Sequence, residues 1–201
     1  MRIHDIIIRV LDVVGSLIGL LISILPILLI SFQVTKDGGP IFFKQVRIGK
    51  NGEQFLMWKI RSMVVGAEIM KQNLIGSSDV QGMFKMKNDP RVTHVGKFIR
   101  QHSLDELPQF WNVLKGEMSL VGPRPALPEE VTRYSKRDKK RLQVKPGITG
   151  LWQISGRSDV DFDTMIKLDI QYIENRSLKL YLIILLKTIR LMLPNTTNGA
   201  Y

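Results

Sequence analysis

Hydrophobic and polar positions change period along the chain, and the changes mark its parts. Residues 13–35 (VVGSLIGLLISILPILLISFQVT) carry no charged side chain. A run of that length exceeds the ~20 residues a helix needs to cross a hydrocarbon core. It ends in SFQVT rather than a small-x-small cleavage site, which favours a retained anchor over a signal peptide. Pro26 interrupts the run, removing a backbone hydrogen bond and bending the helix. Ser23, three residues earlier, offers a hydroxyl able to satisfy a freed carbonyl. Basic residues sit on both flanks, Arg2 and Arg9 before and Lys36, Lys44 and Arg47 after. Positive flanks stay cytoplasmic, so both ends are placed on one side. A helix broken at Pro26 that re-enters the same leaflet resolves this conflict. A kinked crossing helix is the alternative, and the pattern leaves both open.

Beyond the anchor come two runs rich in aromatic and branched residues. Strands are predicted near 41–48 and at Gln54–Ile60, around Asn51-Gly52, a dipeptide suited to the positive φ angles of a tight hairpin turn. Residues 65–83 read as a helix running into a flexible GSSDVQG loop, Asp89-Pro90-Arg91 as a turn, and 95–101 as a short basic helix or strand. Residues 106–115 read as a helix stopped by Gly116. Pro108 is tolerated only in a first turn, so that helix starts near Asp105 or later. Gly122-Pro123-Arg124-Pro125 is stiff and non-helical. Residues 129–143 read as a very basic helix closed by Lys145-Pro146-Gly147. In the apolar segment 177–193, Lys179, Lys187 and Arg190 fall within about 80° of one helix face. That pattern suits a helix lying in a membrane interface; a core helix with one wet edge is the alternative. The fold class is α+β, mainly helical with a small β-hairpin.

Composition narrows the function. The 201 residues suffice for one compact domain, and 29 Lys and Arg against 18 Asp and Glu give a net charge of +11. Such a surplus favours an anionic partner: a nucleotide, a nucleic acid or an acidic membrane surface. No cysteine is present, which excludes disulfides, zinc-thiolate sites and cysteine nucleophiles. His4, His94 and His102 have no metal-ligand spacing. Aromatic residues make up 7% and form no stacking motif, which argues against a nucleic-acid partner and a membrane-tethered nucleic-acid binder.

The acidic pair Asp105-Glu106 is the candidate for chemistry. Taken alone, Ser103 or Asp105 reads as a helix cap. The surroundings shift that balance, because Arg100, Arg124, Lys145 and Arg157 lie nearby in turn-rich sequence. Arginine in a rigid Pro-Arg-Pro frame matches phosphate oxygens with its fork of donors. A carboxylate among such cations is expected to stay ionised, and ionised it can attack phosphorus. A second carboxylate beside it suits Mg²⁺ held against the same diphosphate. Asp159-Val160-Asp161-Phe162-Asp163 has the start of a calcium loop but lacks the required Gly and Glu, having Thr164 and Ile170, so it reads as a solvated turn.

These segments resemble the bacterial sugar transferase family, the small monotopic polyprenyl-phosphate phosphoglycosyl transferases. The resemblance rests on GPIFFKQVRIG, KIRSM, DPRVTHVGKFIR, SLDELPQFWNVLKGEMSLVGPRP, KPGITGLWQISGR and KTI, and spans nearly the whole chain from the hydrophobic segment onward. SLDELPQ followed by SLVGPRP is its most specific part. It implies that Asp105 is the nucleophile on the sugar-proximal phosphate of a UDP-sugar, releasing UMP, and that Glu106 supports Mg²⁺ and the dyad. Arg100, Arg124, Pro123, Pro125, Lys59, Arg61, Lys145 and Arg157 become the substrate-binding set. The break at Ser23 to Pro26 becomes the re-entrant one, although the family's Ser-Pro pair is here separated by Ile24 and Leu25.

The resemblance further implies a membrane-inserted part over 1–36 and a catalytic part over 37–201 on the cytoplasmic face of the inner membrane. The partners are membrane lipids and undecaprenyl phosphate, the acceptor. LWQISGR with SDVDFD is most similar to members that transfer galactose or glucose phosphate. The oligomeric state stays open, a homodimer included. A scaffold of glycan assembly that has lost activity is the rival reading, opposed by the intact Asp105-Glu106 and Gly-Pro-Arg-Pro motifs.

Overall fold

A computed structural model describes residues 3–74, 86, 88–156 and 160–192. Helix α1 (Ile3–Val34) continues through Pro26. Ser23 Oγ donates to the Gly19 carbonyl at 2.6 Å, not to Ile22, whose carbonyl loses its usual donor at a proline four residues on. Ile8, Asp12, Ser16, Ser23 and Val34 are buried. Their spacing, with Ile27 and Ile30 packed alongside Val34, draws one stripe down a single helix face. Gly19 lets α1 approach closely: an added Cβ would lie 2.6 Å from the Phe110 ring. The opposite face exposes Val14, Leu17, Ile18, Leu21, Leu25, Leu28 and Phe32. It is the one helix among the described residues long and apolar enough to cross a membrane.

Strands β1 (Phe42–Ile48) and β2 (Gln54–Ile60) form an antiparallel hairpin. Ile48 pairs with Gln54, so residues 49–53 form a longer connection than the tight turn expected from sequence. Asn51 and Gly52 still take the positive φ values that dipeptide favours, 58° and 85°. Lys59 pairs with Phe43 and Arg47 with Phe55. Alternation therefore puts Arg47 and Lys59 on one face of the ribbon.

Helices α2 (Ala67–Leu74) and α3 (His94–Gln101) follow, and the expected GSSDVQG loop lies outside the described residues. Thr93 caps α3 by accepting from Gly96 N at 2.9 Å. Gly96 is required there, since a Cβ would lie 1.9 Å from the Ser62 carbonyl oxygen. Helix α4 (Gln109–Lys115) begins after Pro108, and Asp105 and Glu106 lie in the preceding 3₁₀ turn, Leu104–Glu106. From α4, Asn112 satisfies the edge of β2: its Nδ2 donates to Leu56 O at 2.7 Å and its Oδ1 accepts from Trp58 N at 3.1 Å.

The parallel pair β3 (Ser119–Val121) and β4 (Gly147–Thr149) had no signature in the hydropathy pattern; three residues are too few to show alternation. The single basic helix expected over 129–143 is instead α5 (Pro128–Val131) and a 3₁₀ stretch, Asp138–Gln143. Ser135 and Asp138 bond each other's backbone and side chains, which starts a new turn in place of a continuing helix. The expected solvated turn at 159–163 partly falls outside the described residues. Asp161 within it caps α6 (Phe162–Glu174), accepting from Thr164 N at 2.6 Å.

Helix α7 (Leu178–Met192) buries Tyr181 and Ile184 and exposes Leu182, Ile183, Leu186 and Ile189 on its cationic side. The main core gathers Ile8 of α1, Phe55 and Met57 of β2, Val113 of α4, Leu120 and Val121 of β3, Tyr172 of α6, and Tyr181 and Ile184 of α7. A second joins Val34 with Ile60 and Ile99. Helix α1 is thus built into two cores of the domain.

Candidate active site

Ser103 adopts a left-handed conformation (φ 54°) and makes no side-chain cap, and Asp105 does not cap a helix either. The left-handed residue ends α3 and turns the chain into the 3₁₀ turn that carries the dyad. Asp105 is 8% exposed and faces β2, where Lys59 Nζ lies 2.9 Å from its Oδ2 and 3.4 Å from Glu106 Oε1. One ammonium thus holds two adjacent carboxylates. Burial works against the lysine's charge, but Asp105 first and Glu106 next outweigh it, and its pKa is raised. Lys59 is therefore an ammonium throughout the neutral range.

Arg100, in the last turn of α3, donates from Nε to Ser62 Oγ at 2.9 Å. Burial pushes its pKa down, while the charge of Asp105 and then Asp89 favours the guanidinium. Arg124 is held by Glu130, which accepts from its Nη1 at 2.8 and 3.2 Å. Burial opposes this charge too, but Glu130 outweighs it and the pKa is raised. Pro123 and Pro125 frame it rigidly: the Pro123 carbonyl accepts from Gly147 N at 2.9 Å, and the Pro125 carbonyl accepts from Arg47 Nη1 at 2.9 Å. Behind the frame, Arg141 Nη2 donates to the Arg124 carbonyl at 3.2 Å and pairs with the buried Asp169 at 2.6 Å.

Two expected binding residues are not gathered here, and a third is not described. All five donors of Arg61 are engaged within the chain: Nε with Pro40 O, Nη1 with Asp37 and Met63 O, and Nη2 with Asp37 and Val34 O. It clamps the end of α1 to β2 and has no N–H left for a substrate. Lys145 lies at the far end of α4, where Nζ and the Arg9 guanidinium would both crowd a Cβ on Gly116. Burial and then Arg9 push its pKa down. Arg157 lies outside the described residues.

Sequence reasoning passed over Arg47, Glu130, Arg141, Asp169 and Asn112 as site residues. Strand alternation from Lys59 was the available signal for Arg47. The others are joined to the site only by tertiary packing.

Among the described residues no three His, Cys, Asp or Glu cluster as a metal cage. The residues fit Mg²⁺ nonetheless. Asp105 Oδ1 takes no hydrogen bond among the described residues, and adjacent hard carboxylates suit an ion completed by phosphate oxygens and water. Asp105 and Glu106 would hold it, and it would neutralise charge on a bound diphosphate.

An acidic pair held by Lys59, an arginine clamped by Glu130 and a long apolar helix built into the same domain suit an anionic substrate met beside a membrane. The chain belongs to the bacterial sugar transferase family, whose profile matches residues 3–195. It is 50% identical over 190 residues to the galactosyl transferase CpsE of Streptococcus agalactiae, covering 94% of this chain and 42% of that one. It is 46% identical over 198 residues to the undecaprenyl-phosphate galactose phosphotransferase of Salmonella typhimurium, covering 96% and 41%. It is 42% identical over 187 residues to the exopolysaccharide production protein ExoY of Rhizobium meliloti, covering 90% and 83%. The chain thus spans about two-fifths of the first two relatives and most of the third.

Proposed function

We propose that the chain is a phosphoglycosyl transferase that moves a sugar-1-phosphate from a UDP-sugar to undecaprenyl phosphate. The observation that carries this reading is Lys59 holding Asp105 and Glu106 together as a partly open acidic dyad. An Asp105 oxygen attacks the sugar-proximal phosphorus of the donor, and the P–O bond to the UMP phosphate breaks. UMP leaves, and the sugar phosphate stays on Asp105 as an acyl phosphate. A phosphate oxygen of the lipid then attacks the same phosphorus, forming the lipid diphospho-sugar and restoring the carboxylate. One phosphoanhydride is exchanged for another, so catalysis is mainly positioning and charge stabilisation. Arg124 and Arg100 hold phosphate oxygens, and Mg²⁺ supplies charge neutralisation when bound. Galactose phosphate is the first cargo to test, because two relatives are named for galactose transfer.

The membrane reading is monotopic, with the catalytic part on the cytoplasmic face of the inner membrane, where UDP-sugars are. Asp12 and Val34 support it, because residues at opposite ends of the uncharged run pack on one domain. A helix crossing the bilayer along its axis would carry one of these contacts to the far side. The exposed apolar face of α1 then meets lipid side-on, with α7 at the interface.

Incubation with UDP-galactose and Mg²⁺ without lipid should leave a hexose-phosphate mass on the peptide holding Asp105 and release an equal amount of UMP. Asp105→Asn should abolish both. Wild-type turnover in Asp105→Asn would overturn the assignment.

A further inference from the structure

The loop carrying Arg124 is held from three sides, and one of the three comes from the hairpin that carries Lys59. Arg47 Nη1 reaches the Pro125 carbonyl at 2.9 Å, and its Nη2 reaches Gln45 Oε1 at 2.6 Å. Arg47 and Lys59 share a face of the ribbon. Ile48, the next residue, forms an isolated bridge to Ala126 on the other side of Pro125, with Ile48 N donating to Ala126 O at 2.9 Å. Consecutive residues of β1 therefore grip consecutive residues after Arg124, one through a guanidinium and one through the backbone.

Arg47 Nε is buried and has no hydrogen-bond partner among the described residues, while Nη1 and Nη2 each keep one further N–H. A buried donor left unpaired is destabilising. Burial, and then the neighbouring Arg124, push the Arg47 pKa down, while Glu130, Glu129 and Glu106 favour its charge. Surface arginines that merely solvate a strand face carry no such penalty. Nε is turned into protein, and Nη1 and Nη2 each give one N–H to protein acceptors, so the guanidinium is anchored to the loop. Its leverage is on the Pro125 carbonyl, one peptide from Arg124.

We infer that Arg47 is a positioning residue, which fixes Arg124 relative to the Lys59–Asp105 pair so that the arginine fork and the dyad address one diphosphate. The inference rests on the proposed function only in taking Arg124 as a diphosphate ligand. Strand β1 thereby links the two halves of the site: Lys59 pairs across the ribbon from it, and Arg124 is held at its end.

A double-mutant cycle on UDP binding, read by calorimetry on the full chain in nanodiscs, tests it. Arg47→Lys keeps a charge but cannot serve Pro125 and Gln45 at once, and should weaken UDP about tenfold. Arg124→Lys should weaken it by a similar factor, on the scale of a charge-assisted bond. If Arg47 acts through Arg124, the double variant binds no worse than Arg124→Lys alone. In turnover, Arg47→Lys should raise the donor KM by about tenfold and change kcat less than about threefold, a split that general destabilisation would not give. If Arg47→Lys fails to fold, the same cycle with Arg47→Gln, whose amide can donate to Pro125, decides the point. Unchanged UDP affinity in the Arg47 variant, or multiplied losses of about a hundredfold in the double, would overturn the inference. UMP release by the wild type is followed in parallel. Its absence would overturn the transferase reading, while the UDP cycle still decides the role of Arg47.

Discussion

The Tyr181 hydroxyl donates to the Asp12 carboxylate at 2.8 Å, joining the last helix of the fold to the first. The same carboxylate oxygen accepts from Ser119 Oγ at 2.9 Å and from Leu120 N at 2.8 Å. One turn earlier on α1, Arg9 donates to the Val113 and Leu114 carbonyls at 2.7 and 2.8 Å. Both carbonyls lie in the last turn of α4, where a cation suits the helix dipole. The apolar helix is therefore wired to the element that follows the turn carrying Asp105 and Glu106.

Removing Asp12 should then destabilise the catalytic core as well as the anchor. Asp12→Ala strips the acceptor from three buried donors and should cost about 3 kcal/mol, whereas Tyr181→Phe removes one donor and should cost about 1 kcal/mol. Denaturant unfolding in nanodiscs, followed by tryptophan fluorescence, measures both. Equal stability of Asp12→Ala and wild type would mean that α1 is an independent anchor.

Lys59 should be needed for chemistry and silent in the pH profile. A lysine whose folded pKa is raised contributes stability that is complete below its ordinary value of 10.5 and is lost only as pH rises through the higher folded value. Between about pH 6 and 9 it stays charged. Lys59→Gln should slow formation of the Asp105 adduct by about 10²–10³, the scale of losing one charge-stabilising donor. Rapid-quench rates across that range should show no wild-type ionisation that the variant lacks. A basic limb below pH 9 present only in wild type would refute this account.

Where the sequence is locally periodic, the fold was readable from it. The hairpin strands announced themselves through aromatic and branched runs on either side of Asn51-Gly52, and Gly116 marked the end of α4. Residues 95–101 suited a helix or a strand alike, and α4 starts at Gln109, after the 3₁₀ turn Leu104–Glu106, rather than at Glu106. The dyad and Arg124 stood out because carboxylates and a Pro-Arg-Pro frame are locally unusual. What the sequence did not disclose lies in tertiary contacts. Nothing local shows that the donors of Arg61 are all engaged within the chain, whereas Nε and Nη2 of Arg124 have no partner among the described residues. Asp12 likewise reads as the polar flank of an anchor until β3 and α7 are folded against it. The basic run at 129–143 satisfies helical periodicity, yet the Ser135–Asp138 bonds and the inward pull of Tyr134 and Arg141 divide it.

The packing of α1 also bears on topology, the point on which the basic flanks left two answers. Ile8 and Asp12 precede the uncharged run, Val34 closes it, and all three are buried against the domain. If these contacts hold in the membrane, Ile3 lies on the same side as the hairpin. A cysteine introduced at Ile3, and another at Asn51, in this chain without native cysteines, should both be protected from an impermeant maleimide in intact spheroplasts. Both should react after permeabilisation. A crossing helix would separate the two probes, because the ~30 Å hydrocarbon core lies well within the roughly 48 Å length of a 32-residue helix. The Asp12→Ala variant adds a control. Without its three hydrogen bonds the N-terminal half of α1 is less firmly tied to the domain, so any outward labelling should appear first at Ile3 in that variant and never at Asn51. Labelling of wild-type Ile3 from outside, with Asn51 protected, would establish a crossing anchor and would mean that the Asp12–Tyr181 contact does not form in the bilayer.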